Sequence, residues 1–349
     1  MSECTFAKTC SCQRDTVTPT GTEWSLKDYL GAVAVRTNIG RMNYKVKPGL
    51  YTIGKPDSNA SVFVTSNYKL TFDHVRRALS GIDAWVLVLD TNGVNVWCAA
   101  GKGLFSTEEL CRQIELTRLA ERVSHKRLIL PQLGAVGVSA PQVAEKSGFT
   151  VIYGPVRARD IPAWLAAGRK KDEAMRTVCF NLIDRLVLIP VEITNARNIA
   201  LILLAIATML AIVRCGGLPG LVPTFAGYAV QFLGALLAGA TIVTALLPYL
   251  PTKSFSIKGA TVGMAWAAVM ALIAANHAGN AFWNAFSGGW TVAGALLTSS
   301  AIAAYTALNF TGATVFTSQS GTLLETKRAL PLIGATAIAG LVLQIIGAL

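Results

Sequence analysis

Ala84-Trp85-Val86-Leu87-Val88-Leu89 is an unbroken apolar run that ends at Asp90, turns through Thr91-Asn92-Gly93 and enters Asn95-Val96-Trp97-Cys98-Ala99-Ala100-Gly101-Lys102-Gly103. An apolar run without alternation reads as a strand buried on both faces, as in a parallel sheet. The turn after it opens at the sheet's carboxyl edge, where open α/β sheets bind ligands. A single thiol, Cys98, stands there on a short helical segment, and Ala99, Ala100 and Gly101 are small enough to let a flat partner approach. On residue type alone a buried structural cysteine is the commoner reading of Cys98, and a thiol set against a flat partner is the alternative. Two motifs fail. Seven residues separate Gly93 from Gly101-Lys102, where a P-loop has four, and Gly103 stands in the Ser/Thr place. No second cysteine lies two or three residues from Cys98, which argues against zinc or disulfide-exchange chemistry.

Outward from this stretch, strands and helices alternate. Ser61–Thr65 is the first clear β run, and Thr71–Ser80 reads as a helix with Phe72, Val75 and Leu79 on one face. Ser106-x-x-Glu109 is a capping box that opens a helix over Thr107–Val123, with Leu110, Ile114, Leu119 and Val123 on its apolar side. Arg127–Leu133 is a strand, Pro141–Lys146 a short helix and Thr150–Tyr153 a strand ending in Gly154-Pro155. Ile161–Ala167 and Glu173–Leu186 read as helices. This order predicts an α/β domain over residues 23–192, with a parallel sheet and right-handed crossovers. Within it, 23–60 supplies a helix start near Trp24–Tyr29 and an irregular segment through Pro48 and Pro56. Residues 1–22 are polar and read as a mobile tail.

Beyond the α/β pattern the composition changes. The chain is 52% hydrophobic and only 14% charged, and residues 1–197 hold 26 of its 31 Lys and Arg and 18 of its 19 acidic residues. Residues 193–349 are expected to form a membrane domain with apolar stretches at about 198–213, 222–248, 258–276, 289–309 and 329–349; spanning a ~30 Å core takes roughly 20 residues. With the first domain cytoplasmic, Lys253, Lys258, Lys327 and Arg328 fall inside and Arg214 outside, as the positive-inside rule requires. That orientation predicts a multi-pass protein of the cell inner (cytoplasmic) membrane with its carboxyl terminus outside. Abundant Gly and Ala suit close packing of the spans. Gln231, Asn276, His277, Asn280 and Asn284 are polar at or near membrane depth; an anchor and partner platform is the expected role, and a transport path the alternative.

The formal net charge is +12. Dense basic blocks with interleaved aromatics are missing, which argues against nucleic acid, and the excess fits an anionic leaflet and an acidic protein partner. Cys4, Cys10, Cys12, Cys98, Cys111, Cys179 and Cys215 are odd in number and scattered, which fits a reducing compartment. The first three do not match an iron–sulfur ligand spacing and read as incidental cysteines of the tail, with capture of a soft metal ion as the alternative. No signal-peptide pattern opens the chain. His74 and His125 lack a second ligand at metal spacing and read as surface residues, and Asp90 has no paired carboxylate beside it.

Asn95-Val96-Trp97-Cys98-Ala99-Ala100-Gly101-Lys102 resembles the cap-helix signature of the membrane-bound corrinoid proteins of microbial mercury methylation. Roughly Pro48 to Glu192 is also similar to the corrinoid domain of the corrinoid iron–sulfur protein large subunit. The likeness runs through Pro48-Gly49-Leu50-Tyr51, Val64-Thr65-Ser66-Asn67-Tyr68-Lys69-Leu70, Leu128-Ile129-Leu130-Pro131-Gln132-Leu133-Gly134 and Tyr153-Gly154-Pro155-Val156-Arg157-Ala158. The resemblance implies a Rossmann-like corrinoid-binding α/β domain followed by an all-α transmembrane domain of five helices. It implies a cobalt corrinoid with the Cys98 thiolate as lower axial ligand, and methyl transfer from methyl-cobalt(III) to inorganic Hg(II). Asn95 and Trp97 would then hold the cap segment over the corrin, Val96 between them would also bind the cofactor, Ala99, Ala100 and Gly101 would permit close approach, Lys102 could meet a corrinoid amide or phosphate, and Thr65 would face the same pocket. The implied partners are a ferredoxin-like protein with two [4Fe–4S] clusters and a methyltetrahydrofolate-linked methyl donor, with no cluster in this chain. Thiolate ligation suits this chemistry, because a strong donor opposite the methyl group favours its departure with the bonding electrons. A methyl carrier in one-carbon metabolism, and a transporter or sensor with a regulatory α/β domain, are the competing readings.

Overall fold

The computed structural model describes residues 17–277, 279–310, 316, 317 and 319–349. Cys4, Cys10 and Cys12 lie outside the described residues. Two compact units emerge: residues up to Val35 with Ile39–Cys179, and Arg36–Asn38 with Phe180–Leu349.

The first unit contains β1 (Thr18–Pro19), α1 (Leu26–Arg36), β2 (Gly49–Ile53), β3 (Ser61–Ser66), α2 (Lys69–Ala78), β4 (Ala84–Leu89), α3 (Val96–Gly101), α4 (Thr107–Leu116), α5 (Leu119–Arg122), β5 (Arg127–Leu130), α6 (Ala140–Ser147), β6 (Thr150–Tyr153) and α7 (Ile161–Ala166). Among the described residues, six strands form one sheet in the order β1-β2-β4-β3-β5-β6. Side chains alternate along β4. Trp85, Leu87 and Leu89 pack with Ala99, Leu110, Ile114 and Val143, while Ala84, Val86 and Val88 pack with Phe72, Leu79, Ile161 and Trp164. The sheet is therefore covered by helices on both faces, which is why β4 needs no polar residue.

Several local readings change. The sheet is mixed: β2, which looked irregular, runs antiparallel to β4 with Tyr51 opposite Val86. Pro48 sits just before that strand, where its missing N–H costs no ladder bond. Residues expected in the mobile tail reach into the sheet, since Thr18–Pro19 pair with Tyr51–Thr52. The Thr107–Val123 helix breaks at Arg118, whose φ of 48° is left-handed. The strand expected to reach Leu133 stops at Leu130, because Pro131 leads into a 3-10 turn over Gln132–Val136. Glu173–Leu186 is not one helix. Phe180 has a φ of 41°, and Asn181 and Asp184 then form a reciprocal cap on α8 (Leu182–Leu186).

In the second unit α8 is followed by α9 (Ile189–Asn195), α10 (Arg197–Cys215), α11 (Leu221–Ala245), α12 (Phe255–Ala275), α13 (Gly289–Asn309) and α14 (Gln319–Ala348). Among the described residues, five helices are long and apolar enough to cross a membrane. α10 leaves Leu201, Ile202, Met209 and Ile212 exposed, as a lipid-facing helix would. Gly259 and Gly263 bring α12 against α13, and a Cβ at either would run into the Ala303 or Ser299 carbonyl. Gln231 Nε2 donates to Thr298 Oγ1 at 2.9 Å and its Oε1 accepts from Gln344 Nε2 at 2.9 Å, tying α11, α13 and α14 together. Asn276, His277 and Asn280 bond to local backbone at the end of α12 and the start of the following connector.

A buried charge cluster pins α1 to α2. Lys69 Nζ meets Asp28 Oδ1 at 2.6 Å and Asp73 Oδ2 at 2.7 Å, and Arg76 reaches Asp73 at 2.7 Å and Asp28 at 2.8 Å. Arg76 also donates to the Gly21 and Glu23 carbonyls, which seats the segment after β1. Burial alone would raise the Asp28 carboxyl. The Lys69 ammonium and the Ser25 N–H and hydroxyl outweigh it and hold Asp28 well below the usual carboxylate range. A depressed folded pKa gives stabilisation that is complete above about pH 4 and is lost as pH falls further. Asp28→Asn should therefore destabilise the full chain in detergent by roughly 3 kcal/mol at neutral pH, because it leaves buried cations short of a partner. Its thermal midpoint should also fall less than the parent's on acidification below about pH 4.

Candidate functional site

Chain order reverses at β3. β4 follows on one side of it, and the next strand, β5, lies on the other. Such a switch point leaves a crevice at the carboxyl ends of the parallel strands. A cavity of about 500 Å³ occupies it. Its floor comes from Phe63, Val64 and Thr65 of β3 and from Ile129, Leu130 and Pro131 at the end of β5; its walls come from α2, the start of α3 and the Gly154–Ala158 loop after β6. The lining is mostly apolar, with Thr65, Thr71, His74, Asn95, Arg157 and Arg159 as polar members. Thr65 Oγ1 is buried there with no hydrogen-bond partner, an unusual state for a hydroxyl.

The residues singled out in the sequence separate into two faces of α3. Asn95 caps the helix, its Oδ1 accepting the Cys98 N–H at 2.9 Å. Asn95, Val96 and Trp97 line the cavity. Trp97, Cys98, Gly101 and Lys102 are exposed along one side of the helix, and Cys98 is a free thiol among the described residues. Cys98 does not line the cavity itself; it follows directly on three residues that do. Ala99 and Ala100 point the other way, into the hydrophobic core. Gly137 lies against this face, and a Cβ there would meet Ala100 Cα at 3.0 Å, so its missing side chain lets α3 pack close.

What holds the turn before α3 was not legible as a motif. Asn67 is fully buried just after β3. Its Oδ1 accepts the N–H groups of Thr91 at 3.1 Å and Gly93 at 2.9 Å, and lies 2.8 Å from the Thr91 hydroxyl. Its Nδ2 donates to Asp90 Oδ1 at 3.0 Å. Asp90 is thereby a turn residue, accepting from Asn67 and from the Asn92 N–H. The capping box at Ser106 forms only halfway. Ser106 accepts the Glu109 N–H, but the Glu109 carboxylate turns to the Asp90 N–H at 2.8 Å and to Arg112. β3, α4 and the β4–α3 turn are joined through these two side chains. His125 is bonded to the Ala60 carbonyl at 2.9 Å, away from the cavity.

Residues 29–165 match the family model of the CO dehydrogenase/acetyl-CoA synthase delta subunit. That segment contains every residue that lines the cavity and ends before α8. The acetyl-CoA decarbonylase/synthase complex subunit gamma of Methanopyrus kandleri is 34% identical over 153 residues, 43% of this chain and 32% of that protein. The same subunit of Methanocaldococcus jannaschii is 38% identical over 111 residues, 31% of this chain and 22% of that protein. The corrinoid/iron-sulfur protein large subunit of Moorella thermoacetica is 32% identical over 125 residues, 35% of this chain and 28% of that protein. The chain thus spans about a third or less of the length of these relatives.

Asn67→Ala removes the shared acceptor and strands two buried N–H groups, at about 1–3 kcal/mol each. Hydrogen exchange at the Thr91 and Gly93 amides should accelerate at least about tenfold in that variant, while β4 amides keep their protection. Unchanged exchange at both amides would show that Asn67 does not hold the turn.

Proposed function

We propose that this chain is a membrane-anchored, corrinoid-dependent methyltransferase that passes a methyl group to inorganic Hg(II), with the Cys98 thiolate as lower axial ligand to cobalt. One observation carries the reading. Val64-Thr65, Asn95-Val96-Trp97, Leu130-Pro131 and Gly154–Ala158 are far apart in sequence and converge on one cavity, with an unpaired thiol on the exposed side of α3 beside it. Homology to a corrinoid/iron-sulfur protein large subunit supports the cofactor class.

The residues fit a corrinoid. The apolar floor suits a macrocycle, and the unpartnered Thr65 hydroxyl offers a bond to a polar group at its edge. When bound, the corrinoid supplies a cobalt-held methyl group that can leave with its bonding pair toward an electrophilic metal ion. Cys98 provides the electron-rich sulfur that favours this polarity. Asn95 fixes the Cys98 backbone, Trp97 shields the approach, and Asn67 holds the turn from which α3 starts. Gly101 and Lys102 share the exposed side with Cys98 and would meet the rim of the group. The thiol is a single soft ligand, so the metal must arrive already bound in its macrocycle. Electrons and methyl groups come from outside: a ferredoxin-like protein with two [4Fe–4S] clusters and a methyltetrahydrofolate-linked donor. The five apolar helices anchor the domain to the inner membrane, with the α/β unit on the cytoplasmic side.

The relatives' place in acetyl-CoA decarbonylase/synthase complexes favours a second reading, a membrane-anchored methyl carrier of one-carbon metabolism. Methylmercury formation by the purified full chain, with corrinoid, reductant and methyl donor, separates the two. Cys98→Ala should keep corrinoid uptake and lose Hg(II) methylation by roughly a hundredfold or more. The joint Cys4→Ala, Cys10→Ala and Cys12→Ala variant should retain activity. A corrinoid spectrum unchanged by Cys98→Ala would overturn the axial-ligand assignment. Methyl delivery to a thiol or protein but not to Hg(II) would establish the carrier reading.

A further inference from the structure

The α/β unit leaves an apolar stripe on α1 exposed. Leu26, Tyr29, Leu30 and Val33 of α1 are 75%, 48%, 62% and 60% exposed. Their spacing of i, i+3, i+4 and i+7 makes them one stripe along a helix. Ile39 and Met42, further along the chain, are exposed apolar residues as well. The stripe is not a helix turned the wrong way. Asp28, Ala32 and Val35 are the buried face, and Asp28 is clamped by Lys69 and Arg76. Tyr44 packs against Gly31, so the segment after α1 folds back on it and fixes its roll. Rotating the stripe inward would break a buried charge cluster.

The chain around the stripe is predominantly basic. Residues 23–47 contain Lys27, Arg36, Arg41, Lys45 and Lys47 against two acids, Glu23 and Asp28, and Asp28 is already committed to the cluster. Apolar side chains on one face with flanking cations describe a helix that lies in a lipid headgroup layer. Each such cation gains near an anionic leaflet. A protein partner would need an acidic rim around an apolar groove, whereas an anionic bilayer supplies both at once.

From the placement of these residues we infer that α1 is an interfacial helix that docks the α/β unit onto anionic lipid; the inference rests on the membrane-anchored reading above. Only the segment from Cys179 to Arg197 separates the α/β unit from the first long apolar helix. So short a tether keeps the local lipid concentration high, and a modest interfacial affinity then suffices.

The test uses the full chain in lipid nanodiscs with p-benzoylphenylalanine replacing Leu30, and the same probe replacing Val136, an exposed residue far along the chain, as control. On irradiation in phosphatidylcholine with phosphatidylglycerol, the probe at position 30 should give roughly tenfold more lipid adduct than the probe at 136. Its yield should fall in phosphatidylcholine alone. Leu26→Glu with Val33→Glu should abolish the excess without lowering the thermal midpoint, since both side chains are already exposed. Equal lipid adducts at both positions, or cross-links to a second copy of the chain in place of lipid, would overturn the docking. Failure of the parent chain to co-elute with the nanodisc would overturn the membrane reading as well, whereas stable incorporation without the adduct at position 30 rejects the docking alone.

Discussion

A buried amide must pair all its polar atoms, and Asn67 meets that demand by gathering the turn that precedes Cys98. Its carbonyl takes two backbone N–H groups of the Thr91–Gly93 turn and its amino group takes Asp90. The turn therefore has one shape, and α3 leaves the sheet edge in one direction. Glu109 seals the other side by accepting the Asp90 N–H. A thiol meant to meet a cofactor needs this rigidity, because its own helix is only six residues long and could not hold a direction alone.

The sheet makes the same argument on a larger scale. Burial of both faces of β4 forces an unbroken apolar strand, and the polar chemistry is pushed to the strand ends. The reversal of strand order at β3 then opens a crevice where β3, β5 and the loop after β6 can all contribute. Fold and site are consequences of one topology. The second unit follows other rules. Its helices pack through small residues and a Gln231–Thr298–Gln344 bridge, and much of their apolar surface faces outward.

Much of this was readable in the chain. β4 and β6 fall where their apolar runs place them, and all five long apolar helices were visible as composition. The misreadings share a cause. β2 and β1 are edge pairings whose partners lie far along the sequence. The breaks at Arg118 and Phe180 are single residues in left-handed conformation, which no periodicity announces. Ala99 and Ala100 are a different case: they pack in the core, and small residues serve a core contact and a ligand contact equally well.

Composition and periodicity by themselves determined a basic α/β unit joined to an apolar helical one, and they singled out Cys98 at a strand-to-helix turn. Those features depend on residues close together in the chain. Tertiary structure alone decided which side of α3 is exposed, that Asn67 governs the turn, that Thr65 is left without a partner, and that the stripe on α1 faces outward. Each of these is set by an atom contributed from a distant segment, and no local pattern encodes that atom's position.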